Sequence, residues 1–257
     1  MTTADAAARD SMSAERQAPA QPLRITVVYN NVPYTPELTT AWGFAAVVKT
    51  GRETVLFDTG GDGPTLLANM RHLGIDPKSI GAVVLSHIHG DHTGGLADLL
   101  AHRPNVTVYM PHSFPAVFRR AVERRGAHVE NVGNARHLFA NLYSTGEMGQ
   151  GTDEQALIVD ASAGLVTMTG CSHPGIVDVV NAARTFRDKD IHLLIGGFHL
   201  DEYSDRGLRA TLHALRDLGV QKVAPSHCTG DRAIAQFLKQ WGSDFVEGGC
   251  GAVIEIW

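Results

Sequence analysis

Short runs of apolar residues, separated by turn residues, predict strands in the first third of the chain. The runs at 23–29, 43–49 and 54–60 are rich in β-branched residues, which favour extended structure. The second and third runs flank a glycine-containing turn at 50–53, and this arrangement predicts a β-hairpin. A further apolar strand is expected at 80–85.

Later in the chain, apolar strands alternate with helical patterns. Strands are predicted at 106–110, 155–160, 164–169, 191–200, 220–224 and 251–256, and helices at 63–73, 113–126, 176–187, 206–218 and 231–241. The strands at 155–160 and 164–169 form a second predicted hairpin. This alternation predicts a layered α/β protein, and 257 residues suffice for one large domain. We expect that domain over 23–257.

The segment before this domain has a different composition. Residues 1–22 are rich in Ala, Ser, Arg, Gln and Pro and contain no continuous apolar run, which predicts a disordered tail rather than a secretory signal. The chain has three cysteines without paired spacing, and this favours a reducing compartment. No apolar run approaches the length of a membrane span. We therefore expect a cytoplasmic protein that does not bind membranes.

Charge and composition narrow the classes of function. The net charge of −5 gives no general attraction to nucleic acid, so a small-molecule substrate is expected, and the oligomeric state is left open. The chain contains 13 histidines, a high number for its length. Histidine is the commonest metal ligand and the usual general base near neutral pH, so these residues favour a metal site.

Three histidines and a carboxylate fall within residues 86–92, which read SHIHGDH. His87 and His89 alternate along an extended segment, so both rings can face one ion. Asp91 and His92 lie where a loop meets a helix and can turn toward a second ion. Imidazole and carboxylate ligands suit zinc, manganese or iron. The odds of such a pattern arising by chance are on the order of one in a hundred or less.

Such a metal centre needs further ligands from distant loops. Predicted strands end in Gly- or Ser-flanked histidines at 173, 199 and 227, and ligand sites of layered α/β proteins gather at strand ends. His173 and His227 are the predicted ligands because turn residues surround both. His199 is assigned a role on the substrate side of the centre.

Three more residues near these loops are candidates for the site. Cys171 is either a soft metal ligand or a small buried side chain. Asp58 ends an apolar strand and needs partners there, so it is expected to orient a metal-bound histidine or a loop backbone. Phe198 is assigned to substrate binding, with an aromatic core position as the alternative.

Residues 86–95, SHIHGDHTGG, resemble the signature of the metallo-β-lactamase superfamily, and LFDTG at 56–60 matches the strand that precedes this signature. Three further motifs resemble one branch, the dihydropterin-ribofuranosylaminobenzene-phosphate-synthase-like metal-dependent hydrolases: GCSHPGI at 170–176, GGFHL at 196–200 and PSHCTG at 225–230. The resemblance extends from Leu23 to the C-terminus. It implies an αββα sandwich, in which helices flank two mixed sheets, with a binuclear site at the edge between the sheets.

The resemblance also divides the ligands between two metals. It assigns to the first metal His87 and His89, and to the second metal Asp91, His92 and His227. Many members of the superfamily have a Gly-His turn and an Asp that bridges both metals. The corresponding turn at 151–153 has no histidine, and Cys171 stands at the bridging position. His173 would then complete the first metal site.

The leading prediction is a binuclear zinc-type hydrolase, in which Mn²⁺ or Fe²⁺ could replace Zn²⁺. A metal-bound hydroxide would attack an ester, lactone, amide or phosphoester, with Asp91 positioning that hydroxide and His199 donating a proton. One alternative is a mononuclear iron or diiron oxidoreductase on the same fold. His89 stands where related diiron enzymes have Glu, which favours hydrolysis. A second alternative is a non-catalytic, ligand-binding member.

Overall fold

The structure is a computed structural model that describes residues 22–51 and 53–257, so the tail predicted over 1–22 lies outside the described residues except for its last position. The strands are β1 (Leu23–Asn30), β2 (Phe44–Thr50), β3 (Glu53–Phe57), β4 (Ala82–Val84), β5 (Thr107–Pro111), β6 (His128–Val132), β7 (Asn134–Phe139), β8 (Leu142–Gly146), β9 (Leu157–Ala161), β10 (Gly164–Thr169), β11 (Ile191–Gly197), β12 (Lys222–Ser226) and β13 (Val253–Ile256). The helices are α1 (Gly63–His72), α2 (Gly90–Thr93), α3 (Leu96–His102), α4 (Ala116–Glu123), α5 (Ile176–Arg187), α6 (Asp205–Asp217) and α7 (Asp231–Trp241).

These strands form two mixed sheets. The first sheet has the order β13-β1-β2-β3-β4-β5-β6, and the second has the order β12-β11-β10-β9-β8-β7. In the first sheet, β2 and β3 are antiparallel, whereas β3, β4, β5 and β6 are parallel. In the second sheet, β9 and β10 are antiparallel, whereas β10, β11 and β12 are parallel. Both predicted hairpins are therefore confirmed.

Three apolar layers hold the sheets and helices together. The central layer lies between the two sheets, and each outer layer lies between one sheet and its helices. Along β2, for example, Phe44, Ala46 and Val48 face the central layer, whereas Ala45 and Val47 face the helices. A strand buried on both faces has a continuous apolar sequence, as β2 does. The αββα sandwich expected from the sequence is confirmed, and no helix within the described ranges has the length and hydropathy to span a membrane.

Residues 128–146 differ most from expectation, because no element was predicted there and the structure has β6, β7 and β8. Strands β6 and β7 lie at the outer edges of the two sheets. The first four side chains of β7 are all exposed. Edge strands are often short and polar, so they lack the apolar alternation on which the prediction depended.

The strand directions bring the candidate residues to one edge of the molecule. Because β3 and β4 are parallel, as are β10, β11 and β12, their carboxyl ends lie together. The side chain of Gln155 donates to the Leu85 carbonyl and its backbone N–H to the Ser86 carbonyl, both at 2.9 Å, which joins the two sheets at this edge. The loops that follow these strands contain Asp58, residues 86–92, Cys171, His173, His199 and His227.

Asp62 caps the N-terminus of helix α1, and its carboxylate accepts hydrogen bonds from the backbone N–H of Thr65 and the hydroxyl of Tyr29, each at 2.8 Å. Burial and the nearby carboxylate raise the pKa of Tyr29 to about 12. We expect Asp62→Ala to lower the free energy of unfolding by about 1 kcal/mol, as the loss of a helix cap does. Urea unfolding measures this change. Asp62→Asn keeps a capping oxygen and should lose less; equal losses in both variants would contradict the capping role.

Candidate metal centre

Two groups of potential ligands lie side by side at this edge. We call the first group site A (His87, His89 and His173) and the second site B (Asp91, His92, Cys171 and His227). Within each group, one ligand atom from every residue lies within 4.8 Å of all the others. The rings of His87 and His92 connect the two sites, with centroids 4.2 Å apart. The structure thus brings together all six metal ligands proposed from the sequence, in the two predicted sets, and places Cys171 in site B.

The backbone between β4 and α2 explains how neighbouring residues serve different sites. Through His89 the chain is extended, with φ −61° and ψ 147° at that residue. The Nε2 atom of His87 lies 3.2 Å from Nδ1 of His89, so both rings face site A. The single turn of α2 then directs Asp91 and His92 to site B. His87 and His92 are fully buried, whereas His89 is exposed.

Asp58 makes both kinds of contact expected from its position at a strand end. Its carboxylate accepts hydrogen bonds from the backbone N–H and the hydroxyl of Ser86, both at 2.7 Å. A carboxylate oxygen also lies 2.7 Å from Nδ1 of His92. The Ser86 hydroxyl also lies 2.8 Å from Nδ1 of His87. Burial lowers the pKa of His92, but the charge of Asp58 and its hydrogen bond raise this pKa by a larger amount, so the net shift is upward. Asp58 therefore orients the buried histidines, and their Nε2 atoms face the centre.

The ligand atoms of site B converge on one position. Asp91 Oδ2 lies 3.3 Å from Nε2 of His227 and 3.6 Å from Nε2 of His92. The Cys171 sulfur lies 3.2 Å from the same His92 nitrogen. Asn31 Oδ1 lies 2.8 Å from Nδ1 of His227, which orients that ring as Asp58 orients His92. No sequence signal marked Asn31.

The donors present fit divalent metal ions. The Nε2 atoms of His173 and His227 are buried and have no hydrogen-bond partner among the described residues, an arrangement that is costly without a ligand. Burial lowers the pKa of both His87 and His173, so these rings are neutral and have free lone pairs. Three imidazoles in site A match a catalytic zinc site with an open position, and the mixed donors of site B also suit zinc.

Glu154 is a functional residue that the sequence patterns did not single out. Its Oε1 accepts hydrogen bonds from the backbone N–H groups of residues 170–172 and from the Thr169 hydroxyl, at 2.9–3.0 Å. Its Oε2 accepts the backbone N–H of His173 at 2.9 Å. Only 1% of Glu154 is exposed. This carboxylate fixes the loop that bears Cys171 and His173. The available signal was a carboxylate directly before a buried strand, the argument applied to Asp58.

Several residues of the site have left-handed backbone conformations. The φ angle is 56° at Asp58, 60° at Ser172, 52° at His199 and 52° at His227. Residues other than glycine rarely adopt such angles, and they persist where the surrounding structure imposes them. Each lies directly or shortly after a strand, where the sharp change of direction turns the following side chains toward the centre.

His199 and Phe198 lie on opposite sides of the strand end that follows β11. His199 is exposed, and its ring centroid lies 4.7 Å from that of His173. Phe198 is 1% exposed and packs against Phe237 in the outer layer, with ring centroids 5.3 Å apart. This packing leaves Phe198 no free surface for a ligand and corrects the prediction that it binds substrate.

An exposed aromatic ring borders the centre instead. Trp42 is 60% exposed, and its ring centroid lies 4.8 Å from that of His227. It precedes β2, in a segment without a helix or strand. Trp42 therefore offers a flat apolar surface beside site B.

The fold and this pair of sites define an α/β sandwich with a candidate metal centre. The family model of the metallo-beta-lactamase superfamily matches residues 43–227, which cover most of the chain. The chain belongs to this superfamily.

Three similar proteins show how far the likeness extends. The chain is 27% identical, over 80% of its length and 85% of the relative, to 7,8-dihydropterin-6-methyl-4-(β-D-ribofuranosyl)-aminobenzene-5'-phosphate synthase of Methanocaldococcus jannaschii. The crystal structure of Tm1679, described as a metal-dependent hydrolase of the β-lactamase superfamily, is 27% identical with a TM-score of 0.76, over 91% of this chain and 99% of that one. The thioesterase pkgB of Emericella nidulans is 47% identical, but only over 64 residues, or 24% of this chain and 19% of the relative.

Proposed function

We propose that this protein is a metal-dependent hydrolase that cleaves an ester, lactone or phosphoester of a small molecule. It would use two divalent ions, one at site A and one at site B, and zinc is the first candidate for both. The observation that supports the proposal most directly is the pair of adjacent ligand groups. Both contain a buried imidazole nitrogen without a hydrogen-bond partner in the described part of the chain. The likeness to Tm1679 over nearly its whole length agrees with a hydrolase.

Some residues of the centre would hold the ions, and others would position the reactants. Bound ions of this kind lower the pKa of water and stabilise negative charge on a substrate oxygen. Burial raises the pKa of Asp91, but the neighbouring imidazoles of His227 and His92 lower it by a larger amount, so this carboxylate is ionised. Asp91 would therefore help to hold a cation and accept a hydrogen bond from the attacking water, which orients the nucleophile.

Substrate would approach from the exposed side of the centre. Three of the residues described at the candidate metal centre are exposed, namely His89, His199 and Trp42. The indole of Trp42 would pack on a flat or apolar part of the substrate, while the reacting group lies between sites A and B. Asp58 and Glu154 are both buried, and their role is to hold the ligands in place rather than to contact substrate.

A second candidate is a synthase reaction of the type performed by the archaeal relative, which forms a dihydropterin conjugate. Two observations favour it: that relative matches along 80% of the chain, and the exposed Trp42 ring beside His227 could stack on a pterin. Hydrolysis remains the first candidate because the two ligand groups suit water activation.

Activity assays on the chain after metal removal and reloading test the proposed hydrolase function. The full chain, stripped with a chelator and reloaded with Zn²⁺, Mn²⁺ or Fe²⁺, is assayed with lactones, thioesters, phosphodiesters and phosphomonoesters. We expect turnover of one substrate class that disappears on chelation and returns with metal. Asp91→Asn should reduce this turnover by about 10²–10⁴-fold, whereas Asp98→Asn, an exposed carboxylate on α3, serves as the matched control.

Other results of this assay would contradict the hydrolase. Metal-dependent formation of a pterin conjugate, with no hydrolysis of any class, would support the synthase. Iron as the bound metal together with redox turnover would support an oxidoreductase. An inactive protein that still binds small molecules after reloading would support the non-catalytic alternative.

A further inference from the structure

A third group of potential ligands lies next to the centre, and one of its members, Cys228, has no part in the proposed hydrolysis. It consists of Cys171, His199 and Cys228, whose ligand atoms lie within 4.8 Å of one another. We call it the Cys–His–Cys group. Both cysteines are buried, with 4% and 7% of their surfaces exposed, whereas His199 is exposed. One edge of the group therefore faces solvent.

The fold brings these residues together through three neighbouring strands. Cys171 follows β10, His199 follows β11 and Cys228 follows β12, and these strands are parallel. The group is also closely packed, because a Cβ atom at Gly197 would lie 2.6 Å from the Cys228 sulfur. Only glycine fits at that position without moving the thiol, so the backbone of β11 lies directly against the Cys228 sulfur.

We propose that the Cys–His–Cys group is a further metal site, which binds a thiophilic divalent ion such as zinc. Two sulfurs and one imidazole nitrogen form a known zinc donor set, in which three protein ligands leave a fourth position open. Here the open position faces solvent beside His199. The sulfur of Cys171 is shared with site B, since a thiolate has enough lone pairs to bind two ions. His199 thereby becomes a metal ligand rather than the proton donor predicted from the sequence.

A disulfide is the main competing explanation for two sulfurs this close together. Cys171 and Cys228 are free thiols in the structure. The imidazole of His199 completes the group within the same 4.8 Å limit, and a disulfide has no need of such a third donor. A metal site uses all three side chains, so the geometry favours metal over oxidation.

Cobalt substitution tests the proposal, because thiolate-bound Co²⁺ has near-ultraviolet charge-transfer absorption. The full chain is stripped of metal under reducing conditions and reloaded with Co²⁺. Cys228→Ser is expected to bind one ion fewer per chain than the wild type and to lose part of this absorption. His199→Asn should lose the same ion and, because this side chain is exposed, keep the wild-type unfolding midpoint. Cys250→Ser is the matched control: Cys250 is also buried and free, but it contacts Asn69 and Thr39, so both readouts should stay at wild-type values.

The outcomes separate this site from the proposed hydrolase. An unchanged cobalt count and absorption in Cys228→Ser would overturn the proposal. So would a wild-type mass that is two hydrogens lighter, with no cobalt dependent on Cys228, because the pair would then be a disulfide. His89→Ala should lose an ion from site A and keep the absorption that depends on Cys228. Because this readout is binding rather than turnover, an absence of hydrolysis leaves the test of the Cys–His–Cys group intact.

Discussion

Replacing His89 by alanine is expected to abolish metal-dependent turnover, with kcat/KM reduced by more than about 100-fold. Losing a residue that merely orients a ligand costs 10–100-fold in metal affinity or activity, and His89 is itself one of three donors in site A. Two imidazoles would remain, too few for a catalytic zinc site. The variant should also bind one ion fewer per chain, which elemental analysis measures alongside the kinetics.

Because His89 is exposed, its replacement should affect metal binding without lowering stability. Its side chain lies outside the core, so the variant should keep the wild-type unfolding midpoint. His213→Ala, which removes an exposed histidine on α6, is the matched control and should keep both activity and metal content. Undiminished turnover in His89→Ala would show that site A does not take part in catalysis.

Glu154→Ala is expected to have the largest effect on stability, lowering the free energy of unfolding by roughly 3–5 kcal/mol. The Glu154 carboxylate accepts hydrogen bonds from four backbone N–H groups and one hydroxyl. Its removal leaves these buried donors without partners. Urea unfolding measures the loss, and metal content should fall as well because Cys171 and His173 lie on the released loop.

Glu154→Gln is the conservative comparison for this prediction. The amide keeps one acceptor oxygen but turns an NH₂ group toward backbone donors, so we expect an intermediate loss of stability. Glu255→Ala removes a carboxylate that pairs with Arg24 on the surface, and its effect should stay within about 1 kcal/mol. A Glu154→Ala protein as stable as the wild type would contradict the assigned role.

The ligand arrangement was predictable where it depends on short stretches of chain. Alternation along an extended backbone places His87 and His89 on one side, and the turn that follows redirects Asp91 and His92. The two distant ligands, His173 and His227, follow predicted strands, and the carboxyl ends of neighbouring parallel strands meet at one edge. A local rule combined with one topological rule was therefore sufficient to propose the six ligands.

The supporting residues were not predictable because they depend on contacts between distant parts of the chain. Asn31 Oδ1 contacts Nδ1 of His227, although the two residues are 196 positions apart in the chain. This contact forms only when the two sheets are packed against each other. The hydrogen bonds of Glu154 to the loop after β10 likewise follow from how β9 and β10 are placed. The exposure of Trp42 and the burial of Phe198 reflect packing that residue type alone does not determine.

The pairing of β1 with β13 sets the order in which the protein can assemble during synthesis. Leu23 lies opposite Ile256 in this pair, so the outer edge of β1 is covered only after β13 has been synthesised. Asn31, which orients His227, directly follows β1. Pairings of such long sequence separation slow folding, and an uncovered strand edge invites association with other chains. The edge of β1 therefore stays open to association until β13 docks, and only then is Asn31 held where it orients His227.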